Sequence, residues 1–144
     1  MSQFINHMIS SGMKKYLYIR GFLILVLVFI LHTTAMYRGW YAMYYGFDKV
    51  MHTLAGIAVG IVIAAFYIKR IAPMNQKQLW WFLLFGVFLI GFGWEVFEYA
   101  VQFFIKDVQL AYPIDSLGDL LFDIVGGMIG TTFVVSAKRR YNST

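Results

Sequence analysis

The chain has 144 residues, of which 60% are hydrophobic, 13% charged and 19% aromatic, and it contains no cysteine. That is too apolar for an ordinary soluble domain and too short for more than one, and the missing thiols exclude disulfides, thiolate metal sites and cysteine nucleophiles. The net charge of +5 does not point to nucleic acid, because the basic residues flank apolar runs instead of lining a groove.

Residues 1–15 read as a short cytoplasmic or interfacial head carrying His7, and 16–144 as one transmembrane domain. Four apolar runs, about 16–36, 48–68, 79–104 and 116–136, each approach the roughly 20 residues that a membrane-crossing helix needs. The expected fold is all-α, an integral membrane four-helix bundle with short loops. The first run, rich in Leu, Val, Ile and Phe, reads as a lipid-facing anchor, too long for a cleaved signal segment. His32 near its outer end reads as a hydrogen-bonding residue, not a ligand. The following link holds Tyr37, Trp40, Tyr41, Tyr44 and Tyr45, the aromatic belt expected at a membrane–water interface.

The second run opens with Asp48, and Asp48, His52, Gly56 and Gly60 recur at every fourth residue, so they share one helix face. Gly56-x-x-x-Gly60 is a spacing that lets another backbone approach. A turn follows at 71–78, with Pro73 and Asn75. The third run opens with Trp80 and Trp81 and presents Gly91, Glu95, Glu98 and Gln102 on one face. In the fourth, Asp115, Asp119, Asp123, Gly127 and Thr131 step by four, with Gly126-x-x-x-Gly130 beside them. Asp115 or Ser116 is the expected helix cap.

Lys14, Lys15, Arg20, Lys69, Arg70, Lys77, Lys138, Arg139 and Arg140 all flank one end of the four runs. The positive-inside rule then predicts that both termini are cytoplasmic. All the acidic residues fall toward the other end, and Asp107 reads as a loop charge. A carboxylate at membrane depth costs about 2.5–3.5 kcal/mol on insertion scales, so it persists with a partner or a function. At a rise of about 1.5 Å per residue, His52 lies about 6 Å below Asp48, and Asp119 and Asp123 about 6 and 12 Å below Asp115. Glu98 and Glu95, on a helix running the other way, fall about 9 and 13 Å below its outer end.

The overlapping depths predict one polar pocket. So many carboxylates need either a bound cation or shared protons. The leading expectation is a divalent metal held by His52, Glu95, Glu98, Asp119 and Asp123, with Asp48 and Asp115 at the rim. Glu95, Glu98 and Asp119 are the candidate catalytic groups for metal-assisted hydrolysis or transfer on a lipid or envelope precursor. The alternatives are a proton- or cation-coupled transporter and a structural subunit whose pocket locks the bundle. Membrane lipids are the expected partners, a homo-oligomer is an option, and no nucleic acid is expected.

Asp48-Lys49-Val50-Met51-His52, then Glu95-Val96-Phe97-Glu98, then Asp119-x-x-x-Asp123-x-x-Gly126-x-x-x-Gly130 together resemble the VanZ-like family and the related YjdF-like small membrane proteins. VanZ-like proteins usually carry Gln in place of Glu98 and Asn in place of Asp123, so the diacidic third helix is more similar to the YjdF-like group. The resemblance implies a four-helix polytopic bacterial membrane protein and supports the site more than any one activity.

Overall fold

Where no water is present, a helix satisfies its own backbone hydrogen bonds, and a chain this apolar has reason to be helical throughout. The computed structural model describes residues 2–44, 46–105 and 112–142, with side chains described for 11–44, 46–101 and 115–141. Every regular element among them is an α-helix. His7, Tyr45, Gln102 and Asp107, singled out above, have side chains outside the described residues.

Helix α1 runs unbroken from Ser2 to Arg38, so the head and the first span form one rod. Its 37 residues make it about 55 Å long, well beyond the hydrocarbon thickness. Two glycines in the left-handed region, Gly39 (φ 69°) and Gly46 (φ 84°), turn the chain over, a conformation that strains any side chain. Between them lies the single turn α2, Trp40–Met43. Helix α3 spans Phe47–Phe66 and breaks at Tyr67, after which α4 covers Ile68–Ile71.

Helix α5, Gln76–Ile105, is introduced by a reciprocal cap. The Gln78 N–H donates to Asn75 Oδ1 (2.9 Å) and the Asn75 N–H to Gln78 Oε1 (3.0 Å), which satisfies two donors that a helix start would otherwise leave unpaired. Helix α6 spans Tyr112–Asn142. It therefore begins earlier than the expected cap at Asp115 or Ser116, because Pro113 sits comfortably in a first turn, where its missing N–H breaks no bond.

Four of these segments are long and apolar enough to cross a membrane: Ser11–Arg38, Phe47–Phe66, Gln76–Val101 and Asp115–Tyr141. Large apolar side chains cover their outer faces, among them Phe22 and Phe29 of α1, Phe85 and Phe92 of α5, and Leu117 and Leu121 of α6. Such a surface suits lipid and not water.

The helices alternate in direction, and α3 is central, packed most extensively on α6. That contact is made by main chain. A Cβ on Gly56 would collide with the Asp123 backbone, one on Gly126 with the Thr53 carbonyl, and one on Gly130 would lie 2.7 Å from the Ile57 oxygen. The spacing expected to allow close approach is thus used on α6, with Gly56 as its counterpart on α3.

One half of the bundle is filled by an apolar core that includes Leu17, Ile61, Ile71, Leu79, Leu83 and Val134. There the start of α1, α4, the start of α5 and the end of α6 come together, and the basic residues ring that end. The other half carries the polar groups.

Candidate functional site

Among the fully buried polar residues are His52, Glu95, Asp119 and Asp123, each at most 7% exposed. Helical spacing explains why they are together. His52 points from α3 in line with Gly56, whose lack of a side chain draws in the backbone of Asp123. On α5, Gly91 lies one turn before Glu95, and a Cβ there would collide with the Asp123 carboxylate. Two glycines on two helices therefore open the space that Asp123 fills.

The two nitrogens of His52 face different partners. Nδ1 lies 3.3 Å from Asp123 Oδ1. Nε2 lies 3.6 Å from Asp119 Oδ1, 3.8 Å from Asp48 Oδ1 and 3.9 Å from Glu95 Oε1. Three helices thus surround one imidazole edge with carboxylate oxygens. Two triads have ligand-type atoms within 4.8 Å of one another: Asp48, His52 and Asp119, and His52, Glu95 and Glu98. His52 belongs to both.

Lys49 closes the site on the α6 side. Its ammonium donates to Asp115 Oδ1 and to Asp119 Oδ1, each at 2.6 Å, and stands 3.9 Å from Asp48 Oδ2. Asp115 is largely exposed, at 63% of its side chain, whereas Asp119 is 5% exposed. The Lys49 stem passes Gly118, where an added Cβ would touch Cε and Nζ at 3.5 Å. Among the described residues, six carboxyl groups therefore face at most two positive charges, those of Lys49 and a protonated His52.

Above the cluster sits an aromatic cap. Tyr41 OH and His32 Nδ1 share a hydrogen bond of 2.7 Å, which accounts for His32 as a hydrogen-bonding residue. Tyr41 also packs edge-on against Phe47 at 5.3 Å, and Trp40 against the same ring at 5.6 Å. Burial pushes the Tyr41 phenol up to about 12, with Asp48 and then Glu98 adding to the shift. The belt thus reaches over the acids, although its outermost members Tyr37 and Tyr44 are exposed.

All the residues expected at the pocket come to this end of the bundle. His52, Glu95, Glu98 and Asp119 crowd one space, and Asp123 stands behind the imidazole. Asp48, expected at the rim, shares a triad with His52, while Asp115 is held outside by Lys49. Sequence reasoning placed Lys49 beside Asp48 without giving it a direction. No signal along α3 aims it; what draws the ammonium is the pair Asp115 and Asp119 on α6.

The fold and its buried polar cluster define a polytopic helical membrane protein with carboxylates and a histidine buried between its four candidate spans. The chain belongs to the family of predicted membrane proteins DUF2238, whose pattern matches residues 9–140. No curated protein and no solved structure matches it.

Proposed function

We propose that the cluster holds a divalent cation in a multi-pass protein of a bacterial plasma membrane. The observation that carries this reading is the division of labour at His52: Nδ1 against Asp123, Nε2 among three carboxylate oxygens. Histidine ligands are commonly held in this way, one nitrogen for the metal and the other against a carboxylate that fixes the ring. Asp123 is then the orienting group. His52, Glu95 and Asp119 are the principal ligands, with Glu98 and Asp48 completing the set. The donor types suit Mg, Mn, Fe or Zn.

A divalent ion would offset the excess of carboxylates. It would also lower the pKa of a water and polarise a phosphoryl or carbonyl oxygen. Glu98 is placed to accept a proton. Metal-assisted hydrolysis or transfer on a lipid or envelope precursor is the reaction class that suits a pocket near the bilayer surface. The ring of basic residues at the opposite end supports a cytoplasmic location for that end and for both termini. The ordered DKxxH, ExxE and DxxxD motifs support a place beside the VanZ-like and YjdF-like proteins.

One observation favours a second reading, a structural lock. Lys49 between Asp115 and Asp119 supplies counter-charge from within the chain. Transport through the acids is the weaker alternative, since the apolar core fills the other half of the bundle.

Elemental analysis of the purified protein, wild type beside Glu95→Gln and Asp119→Asn, tests the proposal. Stoichiometric metal in the wild type, lost in both variants, is the expected result. Wild type without metal, and variants altered only in stability, would leave the lock as the function of the cluster.

A further inference from the structure

At the basic end, the turn at 72–76 and the last turns of α6 enclose a cleft of about 340 Å³, lined by Met74, Gln76, Leu79, Val135, Lys138 and Arg139. Its two cations are fixed in place. Lys138 Nζ donates to the Ile71 carbonyl (3.0 Å) and the Met74 carbonyl (2.7 Å), and Arg139 Nη2 donates to Gln76 Oε1 (2.9 Å). An ammonium has three donors and a guanidinium five, so these bonds hold the groups and leave donors to spare.

No acidic residue falls in 1–47, 49–94 or 124–144, the stretches that build this end. Among the described residues no carboxylate stands against these two positioned cations, and they suit an anion from outside the chain.

The surroundings identify that anion. The cleft opens where spans Gln76–Val101 and Asp115–Tyr141 reach their basic ends. Buried Leu79 and part-buried Val135 give it apolar walls, and exposed Trp81 lies two residues beyond Leu79. An indole at that depth is the usual sign of the headgroup layer. A phosphodiester meets a guanidinium fork in bidentate fashion, with a lysine as a point charge beside it, and the glycerol and first methylenes would lie along the apolar wall.

We propose that this cleft binds the phosphate of an anionic phospholipid, through Arg139 and Lys138, at the basic face of the membrane.

The test is lipid retention by the full-length protein, measured by native mass spectrometry from detergent containing equal amounts of phosphatidylglycerol and phosphatidylcholine. The wild type should keep phosphatidylglycerol preferentially, and Arg139→Gln should weaken that retention about fivefold, the effect of one basic residue at a lipid surface. Lys138→Arg, which keeps the charge and the carbonyl contacts, should retain it. Arg140→Gln, on the opposite flank of α6, and Lys69→Gln should leave it unchanged. Equal losses in Arg139→Gln, Arg140→Gln and Lys69→Gln would mean diffuse attraction and overturn the site. Inorganic phosphate that displaces the lipid at equal concentration would assign the cleft to a soluble anion and overturn the lipid.

Discussion

Lys49 Nζ lies 2.6 Å from Asp119 Oδ1, and the same oxygen stands 3.6 Å from His52 Nε2. One carboxylate atom thus serves two cationic neighbours on α3. Removing Lys49 leaves the buried Asp119 carboxylate with too little compensation, whereas removing Asp119 leaves the ammonium still on Asp115. Lys49→Met should lower stability by about 3 kcal/mol, the low end for a broken buried pair because the ammonium is partly exposed. The double variant Lys49→Met/Asp119→Asn should recover much of that loss. Thermal unfolding in detergent reads both, and additive losses would mean that the two groups are not coupled.

Asp123→Asn separates orientation from ligation. If Asp123 only fixes the imidazole ring, metal affinity should fall about 10- to 100-fold, whereas Glu95→Gln and Asp119→Asn should abolish stoichiometric binding. Calorimetric titration of the metal-stripped protein distinguishes these outcomes. Complete loss in Asp123→Asn would place that carboxylate among the ligands.

Glycine positions give a sharp internal comparison. Gly56→Ala drives a methyl into the Asp123 main chain, and should cost about 1–3 kcal/mol. Gly93 on α5 has nothing within 4 Å of an added Cβ, so Gly93→Ala should be neutral or stabilise by about 0.5–1 kcal/mol through helix propensity alone. The order of the two melting temperatures is the readout.

Tyr41 supplies a pH prediction outside the spans. Its phenol is raised from 10.0 to about 12, so the folded state holds the proton that the unfolded chain releases first. The stabilisation is whole below about pH 10 and is lost as pH rises toward about 12. Phenolate absorbance of the folded protein should contain a late-titrating component that Tyr41→Phe removes. An identical titration of the two proteins would contradict the cap described over the acids.

The absence of cysteine makes orientation directly testable. Lys69→Cys should resist a membrane-impermeant maleimide in intact cells, and Met43→Cys, 66% exposed beyond the outer end of α1, should react. The reverse pattern would invert the proposed topology.

Much of this architecture was legible in the chain. Apolar runs of bilayer length announce helices, and period-four spacing put Asp48, His52 and Gly56 on one face before any contact was known. Two things were not legible. The direction of Lys49 is set by Asp115 and Asp119 on a different helix, which spacing along α3 cannot reveal. The extent of α1 was hidden as well. Lys14, Lys15 and Arg20 lowered the apolar signal of its first turns, although a helix can continue past the bilayer surface with its charges in water.

The seam between α3 and α6 carries a consequence for what holds the two parts of the cluster. Main chain resting on main chain, at Gly56 and Gly126, has no rotamers to change. His52 and Asp123 therefore stand on a fixed anvil whose dimensions belong to the fold. Helix α5 meets this pair through side chains, with the Val87 methyls where a Cβ on Gly127 would come within 3.1 Å of them. Glu95 and Glu98 ride on that helix. The placing of His52 against Asp123 is thus a property of main chain, and the placing of the two glutamates beside them a property of side-chain packing.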